Sequence, residues 1–153
     1  MRRKKDLKDL RKRVVYDSSV LIEMAYATKL GEIAKELMKE HDTYTTELAI
    51  SETFYIICRK LGVKKAENKI NNLLESGFID VISISPIEAG KIKCVRSISL
   101  ADCYIIALAK ILNATSVFAI KEKELEREIK RMPFKVPVIF LEELIARQRK
   151  FKV

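Results

Sequence analysis

Three acidic residues, far apart in the chain, each stand where a charge is expensive. Asp17 closes the short β-branched run Val14-Val15-Tyr16. Glu52 lies in the mostly apolar run Leu48–Cys58, one helical turn from Leu48 and Ile56, and so shares their face. Between Leu100 and Leu112 the only charged residues are Asp102 and Lys110, and a helix that is apolar nearly all round is buried. A carboxylate among apolar neighbours is costly unless it is paired or binds a metal. Should the three converge, their mutual repulsion calls for a cation. His41 is the only histidine, and Cys58, Cys94 and Cys103 form no CxxC pair. Oxygen ligands alone select Mg²⁺ or Mn²⁺ over Zn²⁺. An ion of that kind activates a bound water and neutralises charge on a leaving oxygen.

Each residue also has a local explanation. Asp17 precedes Ser18-Ser19 and the apolar Val20-Leu21-Ile22, so it can cap a helix, although either serine could do the same. Glu52 can sit at a rim and reach water. Ser99-Leu100-Ala101-Asp102 is a variant of the capping box, with Asp in place of Glu or Gln. Glu47, the competing acid of the 46–60 segment, belongs to a first helical turn, where the helix dipole accounts for it.

The elements that must position these residues alternate in type. Strands are expected at 14–16, 43–45, 78–84, 115–120 and 136–140. Helices are expected from Ser18, after Gly31, over Thr46 to Lys60, Lys64 to Glu75, Pro86 to Arg96, Ser99 to Leu112, Glu122 to Arg131 and Leu141 to Lys150. Thr46 is a good N-cap, Gly62 a good helix stop and Pro86 a good first-turn residue. Short apolar strands alternating with helices make an α/β domain with a mainly parallel sheet. Sites in such sheets form outside the carboxyl ends of the strands, where Asp17 falls.

Length and composition bound the rest. The chain has 153 residues, 48% hydrophobic and 33% charged, which fits one globular domain. The formal charge is +9, and it is uneven. Residues 1–13 hold eight Lys or Arg against two Asp. The expected division is a basic arm over 1–13 and a single domain over 14–153. Arg2, Arg3, Lys4, Lys5, Arg11, Lys12 and Arg13 could hold a phosphate backbone through counterion release, or could simply form a solvated arm. No apolar run is long enough to span a bilayer, and the basic start lacks an apolar signal core, so a cytoplasmic protein with no membrane partner is expected. The three cysteines read as buried, reduced thiols.

The stretches Val15–Ile22, Thr46–Arg59 and Ser99–Lys110 resemble, in order and spacing, the three signature stretches of the PIN-domain nucleases. The nearest likeness is to the prokaryotic toxin branch called VapC, and it covers residues 14 to about 140. The resemblance implies a three-layer α/β/α sandwich with a central, mainly parallel sheet. It also implies acids that bind Mg²⁺ or Mn²⁺ and cut RNA, with Asp17 matching the first acid, Glu52 the second and Asp102 the third. Ser18, after the first acid, would order a metal-bound water. The family often has a fourth acid after the strand at 115–120. Here that place falls near Ile120, and Glu122 or Glu124 could substitute, or both could be solvated residues at a helix start. Lys64-Lys65 and the basic arm could hold RNA. The implied partners are RNA, an antitoxin and a second copy of the chain, through apolar helices such as 46–60. The alternative is a PIN-like module that binds RNA structurally without cutting it.

Overall fold

The structure, a computed structural model, describes residues 10–150. Five strands form one sheet: β1 (Arg13–Tyr16), β2 (Asp42–Thr46), β3 (Ile79–Ile82), β4 (Thr115–Phe118) and β5 (Val138–Phe140). All neighbours are parallel, in the order β3-β2-β1-β4-β5. The connecting helices are α1 (Ser18–Ala25), α2 (Lys29–Glu40), α3 (Glu47–Leu61), α4 (Val63–Glu75), α5 (Pro86–Val95), α6 (Leu100–Leu112), α7 (Lys123–Arg131) and α8 (Leu141–Lys150). They cover the sheet as the outer layers of an α/β/α sandwich, the architecture expected from the alternation of elements.

The central strands are apolar because both faces are covered. Val14, Val15 and Tyr16 of β1 and all four residues of β4 are buried. Helix α6 packs against β1, β2 and β4. That explains why Cys103 and Ile105 through Ala109 are all buried. Strand order, not strand direction, reverses between β1 and β4: the earlier connections run to β2 and β3, the later ones to β4 and β5. The carboxyl ends of β1 and β4 therefore flank the crevice where open α/β sheets place their sites.

Local signals set most helix ends. Thr46 caps α3 by accepting from Ala49 N at 3.1 Å. Gly62 ends α3 at φ +88°, a conformation that L side chains rarely adopt. Pro86 is the first residue of α5. The start of α2 differs from expectation. Thr28, not Gly31, sets it, accepting from Gly31 N at 3.1 Å. Gly31 lies inside the helix because a Cβ there would stand 2.2 Å from the Glu23 carbonyl oxygen. Close packing against the end of α1 requires this glycine.

The three cysteines are free, but only Cys103 is buried; Cys58 is half-buried and Cys94 exposed. Cys94 sits near the end of α5, a helix whose only buried residue is Ala89. Among the described residues no helix is long and apolar enough to cross a membrane.

Candidate active site

Asp17 follows β1 directly, and its N–H donates to the Val117 carbonyl of β4 at 3.0 Å. Its side chain is 5% exposed and caps α1, with Oδ2 accepting from Ser19 N at 3.1 Å. The cap does not take Asp17 away from the carboxyl end of the sheet. Ser19 does not cap; its hydroxyl accepts from Ala119 N at 3.1 Å, across the crevice. Burial holds the Asp17 pKa above the ordinary value, against the opposing pull of the Ser18 and Ser19 donors.

Glu52 projects from the middle of α3. Its Oε1 is buried and has no hydrogen-bond partner. Burial, then the Asp17 charge, raise its pKa; the Ser18 hydroxyl pulls it back and Glu122 adds to the rise. Asp102 lies in the first turn of α6, 6% exposed. Ser99 caps that helix by accepting from Asp102 N at 3.1 Å. Burial, with Asp17, Glu122 and Glu52 adding their charges, pushes the Asp102 pKa up to about 8.

Glu122 stands at the N-cap of α7 and makes no side-chain cap bond. It is exposed at the rim. What burial it has, with the charges of Asp17 and Glu124, raises its pKa. The loop that carries it is clamped to the start of α8. Glu142 N donates to the Ala119 carbonyl at 3.1 Å, and Lys121 N donates to Glu142 Oε1 at 2.8 Å. The Lys121 ammonium pairs with Glu143 at 2.6 Å. Glu124 adds to the rise at Glu122 and is not among the charges that raise Glu52 or Asp102.

Asp17, Glu52, Asp102 and Glu122 therefore share one electrostatic neighbourhood. Among the described residues no lysine or arginine forms an ion pair with any of the four. Nor, among the described residues, do three or more His, Cys, Asp or Glu side chains come together in a group that could by itself hold a metal ion. An unpartnered buried carboxylate oxygen beside other acidic side chains is the donor chemistry that a hard divalent cation takes.

The sequence model of the PIN domain family matches residues 14–128. The chain belongs to the PIN domain family. The PIN family is one of nucleases. A search of curated proteins finds no match to this PIN domain. Solved structures with a similar fold include VapC20 of Mycobacterium tuberculosis, described as a sarcin-ricin loop cleaving toxin. It is 14% identical with a TM-score of 0.60, and the alignment covers 74% of this chain and 94% of that one. The protein PAE2754 of Pyrobaculum aerophilum is 15% identical with a TM-score of 0.63, over 90% of this chain and 96% of that one. VapBC2 of Rickettsia felis, solved on promoter DNA, is 14% identical with a TM-score of 0.63, over 84% of this chain and 98% of that one.

The basic residues expected to hold RNA lie away from Asp17 where they are described. Arg2, Arg3, Lys4 and Lys5 fall outside the described residues. Arg11 donates to the Asn113 side chain, Arg13 to the Leu112 carbonyl at 3.2 Å, and Lys12 faces Asp42 at 3.9 Å. All three sit at the amino end of β1, while Asp17 follows its carboxyl end, roughly 13 Å along a four-residue strand. Lys64 and Lys65 are exposed on α4. In the sequence Ser19 and Ser99 read only as caps, and Glu142 carries no signal of a role. No local signal marks the bonds from Ser19 to Ala119 or from Glu142 to Lys121, because both join segments distant in sequence.

Proposed function

We propose that this PIN domain is a divalent-metal-dependent endoribonuclease, with Asp17, Glu52, Asp102 and Glu122 as the groups that hold Mg²⁺ or Mn²⁺. The observation that carries the reading is the buried, unpartnered Glu52 Oε1, with the charges of Asp17 and Glu122 raising the pKa values of both Glu52 and Asp102. When bound, the ion supplies an activated water and charge neutralisation at the phosphodiester. The chain's own part is positional. Asp17 is fixed by the Ser19 N–H, and the Ser18 hydroxyl beside Glu52 is suited to orient a water. Asp102 is held on the first turn of α6 by the Ser99 cap.

RNA as substrate rests on the family and on the toxin role described for VapC20. Similar folds from Klebsiella pneumoniae and Rickettsia felis were solved as toxin–antitoxin assemblies. We extend that to an antitoxin partner here, and to a homodimer through α3, where Tyr55 and Leu61 are exposed. The test is cleavage of RNA with Mg²⁺ or Mn²⁺, with and without chelator, comparing wild type with Asp17→Asn. Metal-dependent cleavage lost in the variant is the expected result. Salt-dependent RNA binding with no cleavage under any condition overturns it in favour of a structural RNA-binding module.

A further inference from the structure

The carboxyl rim of the sheet carries a cleft beside the acidic group. It measures about 370 Å³ and lies between the ends of β2 and β3 and the starts of α3 and α6. Leu100 and Pro86 give it apolar walls, Tyr104 an aromatic one, and Glu47, Ser51 and Ser83 a polar edge. Ser51 and Glu52 are consecutive on α3, and α3 contacts α6. Leu100 and Tyr104 flank Asp102 at two residues' distance, so they leave α6 on its opposite side.

Glu47 is the unexpected wall. A carboxylate on a surface that must accept RNA phosphates opposes the backbone, so it belongs opposite a group that donates hydrogen bonds. Its orientation is fixed: the Ser83 hydroxyl donates to Oε1 at 2.5 Å. A carboxylate only accepts, through two adjacent oxygens. Of the four RNA bases, guanine alone offers two neighbouring donors, N1–H and N2–H, on its Watson–Crick edge. Adenine, cytosine and uracil each put an acceptor beside their donor. Tyr104 is half-buried, and its ring stacks on no other aromatic ring among the described residues. Splayed single-stranded bases are held by such aromatic faces and read on that edge.

We propose that this cleft binds a guanine base of the RNA, with the Glu47 carboxylate accepting from N1–H and N2–H and Tyr104 against the base plane. The inference rests on the nuclease reading above for its substrate, not for its geometry. A helix width, about 10 Å, separates the Tyr104 side of α6 from Asp102. The guanine is therefore displaced from the scissile phosphate by a constant offset rather than being the nucleotide cut.

Two measurements on the full chain test it. With a randomised RNA pool and Mn²⁺, wild type concentrates cuts at a fixed offset from G. Glu47→Gln and Ser83→Ala each reduce that preference, the first by about ten-fold, as expected for loss of a bidentate base contact. Independently, GMP shifts the amide resonances of Ser51, Ser83 and Tyr104, while AMP, CMP and UMP at equal concentration do not. A G preference unchanged in Glu47→Gln, or shifts equal for all four nucleotides, overturns the assignment. If wild type cuts no RNA, the nuclease reading fails and the GMP shifts alone decide the cleft.

Discussion

The Ser19 hydroxyl accepts a hydrogen bond from the Ala119 N–H at 3.1 Å, joining the first turn of α1 to the end of β4. With the Asp17 N–H bond to the Val117 carbonyl, it ties together the two sides of the crevice between Asp17 and the loop carrying Glu122. Replacing Ser19 with alanine leaves the buried Ala119 N–H without a partner. The expected cost is about 1–3 kcal/mol in urea unfolding. Mn²⁺ affinity, measured by titration calorimetry, should fall about ten- to hundred-fold, as when a group orienting a ligand is lost. Unchanged metal affinity would show that the bond does not govern the site.

Asp102 makes stability depend on pH. Its folded pKa, about 8, lies above the ordinary carboxylate value of 3.8. Between these two values the folded state binds more protons than the unfolded chain, so stability falls as pH rises through that window. Asp17, Glu52 and Glu122, all shifted upward, act in the same sense. With chelator present, Asp102→Asn should melt higher than wild type at pH 8 and close to it at pH 4. Adding Mg²⁺ should raise the wild-type Tm at pH 8 and do little for the variant. A wild type that gains stability between pH 5 and 8 without metal contradicts this account.

Glu122 and Glu124 are separated by their surroundings, not by their chemistry. Glu122 acts on Asp102 and Glu52, whereas Glu124 adds to the rise at Glu122 and is not among the charges that raise those two. Glu122→Gln should weaken Mn²⁺ binding about ten-fold or more, the scale set by groups that tune a metal site. Glu124→Gln should leave binding within about two-fold of wild type, since its influence is an indirect surface one. Parallel titrations of the two variants check this, and equal effects would refute the distinction.

Gly31 is confined by the Glu23 carbonyl, 2.2 Å from where a Cβ would be. Gly31→Ala should destabilise the domain by about 1–3 kcal/mol despite alanine's better helix propensity, because α1 and α2 must separate. Chemical denaturation measures it, and a stabilised variant would mean that the α1–α2 junction is loose.

Much of this molecule could be read from local sequence. Thr46, Gly62, Pro86 and Ser99 mark helix ends because each acts on backbone groups within a few residues. The strands of the parallel sheet are visible as short apolar runs because both faces are covered. The start of α2 was not legible: Gly31 answers to a steric contact with Glu23, eight positions earlier, and not to a helix boundary. The surroundings of Cys94 escaped for a similar reason, since α5 has little cover.

For the site, the sequence determined which acids are available and that Asp17 falls at the carboxyl end of a strand. The choice between capping and site roles did not lie in the sequence; the fold shows the Asp17 cap and leaves the same carboxylate at the carboxyl end of β1, beside the other acids. Whether Glu122 joins the group was decided by tertiary structure alone. Its place depends on Ala119 and Lys121 being bound by Glu142, about twenty residues onward. Likewise the basic residues Arg11, Lys12 and Arg13 lie at the amino end of the sheet because β1 separates them from Asp17. Residue type and spacing follow from bonds along the chain, whereas proximity across a parallel sheet is set by packing between segments that share no local signal.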